Sequence, residues 1–248
     1  PESAIVARHA FTRFVLGREV IIDNHEPYWR AVTVERKIFD KHLAFRAASA
    51  GAAVQADTRL LSVRKDGERV AGCMLSHHGE EIEVSPKAIV AADGVHSTLA
   101  KELGVEFFSP KDVARGVEFE LVAKRDIPQA MQIFIEEEIG LGYGWIIPKG
   151  KRRANVGLGL VGTNASRRTF LEEWITGHPV VSRYFDVDKV LEVKMGDAPV
   201  PGFLGGPVRG NVLFCGDAAG QTLAFVGEGI MPSYICGGLA GKHAALLA

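Results

Sequence analysis

Three cysteines in 248 residues, none in a C-x-x-C spacing, exclude a disulfide framework and a thiolate metal cluster. Cys73, Cys215 and Cys236 are expected to be reduced, mostly buried thiols in a cytoplasmic chain. An excess of charge is also lacking, with 29 Lys and Arg against 30 Asp and Glu. No net field is left to recruit nucleic acid or an anionic membrane. The one basic cluster, KGKRR from Lys149 to Arg153, reads as a solvated turn, and so does the acidic run Glu136 to Glu138. No hydrophobic run qualifies as a membrane span: the longest, Gly229 to Ala248, carries Pro232, Lys242 and His243 and reads as a buried helix. Pro1-Glu2-Ser3 has neither the basic region nor the apolar core of a signal peptide. The absence of an initiator methionine suggests a fragment or a processed product. Internal repeats and low-complexity tracts are absent. What remains is 47% apolar and 24% charged, the balance of a soluble globular chain with one large domain or two small ones.

Short β-like runs open the chain: AIVARHA, FTRFVL, EVIID and RAVTV, broken by Gly17 and Asp23-Asn24. They predict a small antiparallel sheet. From Glu35 the period becomes helical through Ile38, Phe39, His42, Leu43, Arg46 and Ala50, with Gly51 at the C-terminal cap. The runs AAVQA, RLLSVRK, RVAGCMLS and EIEVS read as strands, with hairpin turns at Asp66-Gly67 and His78-Gly79. KAIVAADG is apolar without alternation, as a parallel strand covered on both faces should be. Ser97 can cap a helix over Thr98 to Leu103. Further strands are expected over Val113–Val122, Gln132–Ile135, Tyr143–Ile147, Asn155–Val161 and Leu191–Met195, with a helix over Arg167–Thr176 and a connecting loop over Pro199–Gly210. The chain is thus expected to alternate between two layers, residues 1–34 and 106–200 in one and 35–105 and 201–248 in the other. The class is α/β (α+β).

Two places carry chemistry, because each ends an apolar strand with small residues and one carboxylate. They are IVAADGVHS (Ile89 to Ser97) and VLFCGDAAG (Val212 to Gly220). In an open α/β sheet ligands bind beyond the carboxyl ends of strands, where glycine lets backbone approach a ligand and aspartate accepts from sugar hydroxyls. Downstream, Gly227-Glu228-Gly229-Ile230 opens the last helix, and a helix start with free N–H groups favours an anion or an electron-rich carbonyl. His77-His78 sit in a hairpin turn without the partners a metal would need, and Ser97 beside His96 and Asp93 is a cap rather than a triad.

Together the segments VERKIFDKHLAFRAASAGA, IVAADGVHS, YGWIIPKGKRRANVGLGL and GDAAG...GEGI...G resemble the geranylgeranyl reductase family of flavoproteins, which shares the FAD-binding fold of aromatic hydroxylases. The resemblance runs from Val34 to the C-terminus. It implies a partial FAD-binding three-layer fold interleaved with an antiparallel substrate sheet. It implies that Arg36 faces the cofactor, that Asp93 and Gly94 lie by the pyrophosphate, and that Asp217, with Gly216 and Gly220, binds the ribityl chain. Gly227, Gly229 and Ile230 would sit under the flavin pyrimidine. A family motif of the form P-x-x-Y-x-W-x-F-P places Tyr143, Trp145 and Pro148 on the substrate cavity, with Gly140 and Ile147 departing from it.

The implied activity is FAD-dependent reduction of isolated C=C bonds in geranylgeranyl or other prenyl groups of isoprenoid lipids. Electrons would come from NAD(P)H or a reduced carrier, and peripheral membrane contact would suit the substrate. The resemblance names no proton donor. A flavin-dependent monooxygenase or dehydrogenase on another apolar substrate is the rival enzyme, and a flavin-free remnant the non-catalytic alternative. Such a site normally begins with strand, G-x-G-x-x-G and helix. No glycine triplet of that spacing precedes Arg36, so the expectation is the middle and later part of a longer flavoprotein.

Overall fold

The computed structural model describes residues 1–27, 31–162 and 166–247, and the chain divides into two compact units, each discontinuous in sequence. The first unit holds 1–54 and 115–196, the second 55–114 and 197–248.

In chain order the described elements are β1 (Ile5–Arg8), β2 (Thr12–Leu16), β3 (Val20–Asn24), β4 (Val32–Val34), α1 (Arg36–Ser49), β5 (Thr58–Asp66), β6 (Arg69–His77), β7 (Glu80–Val84), β8 (Ile89–Ala91) and α2 (Thr98–Glu102). Then come β9 (Val113–Val122), β10 (Met131–Ile135), β11 (Tyr143–Pro148), β12 (Arg153–Val161), α3 (Arg167–Gly177), β13 (Val190–Pro199), β14 (Val208–Arg209), β15 (Val212–Phe214) and α4 (Ile230–Leu247).

The first unit is built on a seven-stranded sheet in the order β13-β9-β12-β11-β10-β2-β3. Strict alternation gives it two unlike faces. Phe119, Leu121, Phe134, Ile146, Val156 and Leu158 are fully buried on one side, where Leu171, Trp174 and Ile175 of α3 complete the core. Ser166 starts α3 by accepting from Thr169 N. The opposite face carries Glu118, Glu120, Tyr143, Trp145, Asn155 and Lys194.

Residues 4–34 do not form the small antiparallel sheet that their pattern predicts. β1 pairs only with β4, whereas β2 runs parallel to β10 and antiparallel to β3. Strand propensity fixes neither partner nor direction, and the partner of β2 lies more than a hundred residues away. Arg30, with which the last of these runs begins, lies outside the described residues.

α1 forms as expected, with Gly51 beyond it at φ 95°, yet none of its residues is buried. Ala52–Ala56 is not a strand. The alanines supply little side-chain area to pack, which leaves the pairing to β5 onward.

In the second unit β5, β6 and β7 form an antiparallel meander. His78 and Gly79, at φ 49° and 87°, make the tight turn between β6 and β7. β8 lies parallel to β15, which pairs with β14. Asn211 staples the two sheets: its amide donates to Val70 O and Lys87 O, and its oxygen accepts from Val70 N at 2.8 Å. Cys73 and Cys215 are buried, which raises both thiols above their ordinary pKa, and all three cysteines are free. No helix among the described residues is long and apolar enough to cross a membrane.

Candidate functional site

Both strand-end motifs fall in the second unit and side by side. β8 and β15 are in register, Ile89 with Val212 and Ala91 with Phe214, and Cys215 N donates to Ala91 O at 2.9 Å. Asp93-Gly94 and Gly216-Asp217 therefore leave the same edge of the sheet on neighbouring strands.

Beyond β15 the chain turns at Gly216 (φ 64°) into one 3-10 turn, Gly216–Ala219, and Gly220 closes it in the left-handed region. Gly216 N donates to Gln221 Oε1 at 2.7 Å, and Thr222 Oγ1 donates to Asp217 Oδ1 at 2.8 Å. A Cβ at Gly229 would stand 3.3 Å from Thr222 Oγ1 and 3.4 Å from Asp217 Oδ1. One at Gly216 would stand 3.2 Å from Ser233 Oγ on α4. Both glycines thus let the start of α4 close on the Gly-Asp turn. Gly220 has its own constraint, the carbonyl of Gly202 standing where a Cβ would go.

On the neighbouring strand end Asp93 Oδ2 accepts from Leu99 N at 3.2 Å, and Ser97 caps α2 through Ala100 N. At the start of α4 the chain supplies its own carboxylate, Glu228 Oε1, to Met231 N at 2.7 Å. Sequence reasoning missed this bond, although an acidic residue three positions before a helical N–H is its usual signal. An open pocket of about 460 Å³ flanks α2 and is lined by Val95, His96, Lys101, Phe107 and Ala218. His96 Nε2 lies 2.9 Å from Asp197 Oδ2.

The donor set fits the flavin group that the motifs imply. Asp217 offers an acceptor for polyol hydroxyls, and Gly94 and Gly227, at φ 84° and 60°, have nothing within 4 Å of where a Cβ would stand.

The other expected residues belong to the first unit. Arg36 is exposed and binds Asp40 through Nε at 2.9 and 3.1 Å. Tyr143 and Trp145 share a face of β11, ring centroids 5.8 Å apart. Pro148 alternates onto the buried face with Gly144 and Ile146 instead of joining them. Burial pushes the Tyr143 phenol up to about 12, so it stays protonated at neutral pH.

The Trp145 indole lies across β12, whose Gly157 is paired with Trp145: a Cβ there would come 2.5 Å from Trp145 Cζ2 and 2.6 Å from Val117 O. Trp145 Nε1 donates to Glu118 Oε2 at 2.8 Å.

Two segments expected as solvated turns are exposed at Lys151-Arg152 and at Glu137-Glu138, but each buries its first residue. Lys149 is only 5% exposed, its Nζ donating to Glu35 Oε2 at 2.7 Å and to the buried Glu120 carboxylate. Although burial works against its charge, the two carboxylates raise the pKa of the ammonium overall, and Lys149 lowers that of Glu35. Glu136 is 6% exposed and faces His178 Nε2 at 2.7 Å, near Trp174 Nε1. The charge density near 149–153 and 136–138 marks the exposed part of each segment, whereas the partners that permit burial of Lys149 and Glu136 lie far away in sequence.

Residues 5–230 match the family described as FAD binding domain. The chain belongs to the FAD-binding domain family. Within it, the chain is 34% identical over 230 residues to a digeranylgeranylglycerophospholipid reductase of Methanococcus aeolicus, covering 92% of this chain and 58% of the relative. It is 36% identical over 232 residues to the enzyme of that name from Methanocaldococcus jannaschii, with the same coverages. This FAD-binding chain therefore spans less than two thirds of the length of these relatives. Among solved structures, a geranylgeranyl bacteriochlorophyll reductase-like protein from Thermoplasma acidophilum superposes with a TM-score of 0.84 at 25% identity, covering 98% of this chain and 62% of that one. A flavin-dependent brominase, at 17% identity and a TM-score of 0.71, shares the fold.

Proposed function

We propose that this chain is part of an FAD-dependent oxidoreductase that reduces isolated C=C bonds in the geranylgeranyl chains of isoprenoid glycerophospholipids. The observation that carries the reading is the pairing of Asp93-Gly94 with Gly216-Asp217 at the ends of parallel neighbours, in a sequence about a third identical to reductases named for that lipid.

Asp217, held by Thr222, would accept from ribityl hydroxyls, with Gly216 and Gly220 shaping the turn that presents it. Asp93 and Gly94 would lie by the pyrophosphate, and Gly227, Gly229 and Ile230 under the pyrimidine, where a helix start favours negative charge. Arg36 would add a cation to the cofactor. When bound and reduced, FAD supplies the hydride. Tyr143 and Trp145 would offer two aromatic rings, one with a protonated phenol, to a prenyl chain. Residues 1–34 and 106–200 would serve the substrate, and 35–105 and 201–248 the cofactor.

The test incubates the intact protein with FAD, dithionite and digeranylgeranylglycerophospholipid. The expected product gains H₂ per double bond reduced. Incorporation of oxygen in a parallel incubation with NAD(P)H under air would move the protein to the monooxygenases, and unaltered FAD retention in Asp217→Ala would remove the ribityl assignment.

A further inference from the structure

A buried ammonium between two carboxylates is a costly way to fill space, because apolar side chains of the same volume usually stabilise a core at least as well. What such a pair supplies is direction. In the first unit the pair is part of a connected lattice. Lys149 joins Glu35, the residue before α1, to Glu120 of β9. Glu120 also faces Arg153 at 3.3 Å and Lys194 at 3.8 Å. Lys194 donates to Glu118 at 3.2 Å, and Glu118 in turn receives the indole N–H of Trp145. A second strut runs alongside, Lys37 of α1 to Glu192 of β13 at 2.8 Å. The backbone repeats the emphasis, since the carbonyl of Glu35 accepts from both Ile38 N and Phe39 N, and α1 buries none of its own side chains. Phe39 and Leu43 are only half-buried and Glu35 N donates to Ala4 O at 2.7 Å, so beyond that backbone bond the helix start leans on charge.

We propose that Lys149 is a positioning residue for Arg36: clamped between Glu35 and Glu120, it fixes the first turn of α1 to the charged lattice that also orients the Trp145 indole. The cofactor-facing arginine and the substrate-facing tryptophan are then set by one framework. The inference rests on the reading that Arg36 faces FAD and Trp145 the prenyl chain.

The test compares Lys149→Met with the double variant Lys149→Met/Glu120→Leu in the intact protein. The single variant leaves the buried Glu120 carboxylate to its longer contacts with Arg153 and Lys194 and should lose stability. The double variant removes both buried charges and should melt close to the parent, while Arg153 and Lys194, both partly exposed, turn to solvent. Yet the Ile38 and Phe39 amides should exchange with deuterium about tenfold faster without FAD, and the FAD dissociation constant should rise about tenfold. Parent-like exchange at these two amides in the double variant overturns the proposal. Faster exchange with unchanged FAD affinity sustains the clamp and instead overturns the assignment of Arg36 to the cofactor.

Discussion

A side chain at position 157 would have to enter space already held by the Trp145 ring and the Val117 carbonyl. The ring cannot retreat freely, since Glu118 holds its N–H and Tyr143 flanks it. Gly157→Ala is therefore expected to cost about 1–3 kcal/mol, the range for overpacking a filled site, and to shift the tryptophan emission as the indole lifts off β12. Urea denaturation and fluorescence of the purified variant would check both, and an unshifted spectrum at unchanged stability would contradict the seat described. In the sequence Gly157-Leu158-Gly159 reads as plain strand. The reason for its glycines is invisible until β11 and β12 are in register.

Among the elements, the meander β5–β7 and the pair β8/β15 are joined at Asn211, a buried amide that satisfies both polar groups of the buried Val70 backbone. Asn211→Ala leaves those groups without a partner and should lower stability by about 2 kcal/mol, seen as a lower urea midpoint with unchanged slope. A variant as stable as the parent would show that water replaces the amide at no cost. Elements with a strong local signal were legible in advance: α2 from its Ser97 cap, the β6–β7 turn from His78-Gly79, and β8 from its unbroken apolar run, although Val90 is exposed rather than covered. What was not legible depends on partners distant in sequence: the parallel seat of β2 beside β10, the burial of Lys149 and Glu136, and the turn of Pro148 away from Tyr143. The Asp93 and Asp217 motifs were each legible as the end of an apolar strand, but their adjacency appears only with the parallel pairing of β8 and β15.

At the scale of the molecule, stability should depend on pH through the Glu136–His178 pair. Burial lowers His178 from 6.5 to about 4, and its Nδ1 accepts from Val180 N and Val181 N, which keeps the ring neutral. Above pH 6.5 the folded and unfolded chains bind the same protons at this site. As the pH falls toward 4 only the unfolded chain takes one up, so up to about 3 kcal/mol of stability is lost. Burial raises Glu136, so the folded chain protonates it before the unfolded chain does, which opposes the loss over the same acid range. Glu136→Gln removes the opposing term, and its denaturation midpoint should fall more steeply than the parent's between pH 6.5 and 4. Parallel curves for the two proteins would show that the pair does not govern acid stability.

Each compact unit is assembled from two stretches of chain, 1–54 with 115–196 and 55–114 with 197–248. For recombination between related genes this interleaving has a consequence: no single crossover leaves both units of purely parental origin. An exchange at 54/55 mixes the first unit, one at 196/197 mixes the second, and any exchange well between them mixes both. New pairings of the two units are therefore reached by matched triple exchanges or by substitution in place, and a library built to shuffle the units should place its joints at 54/55, 114/115 and 196/197 together.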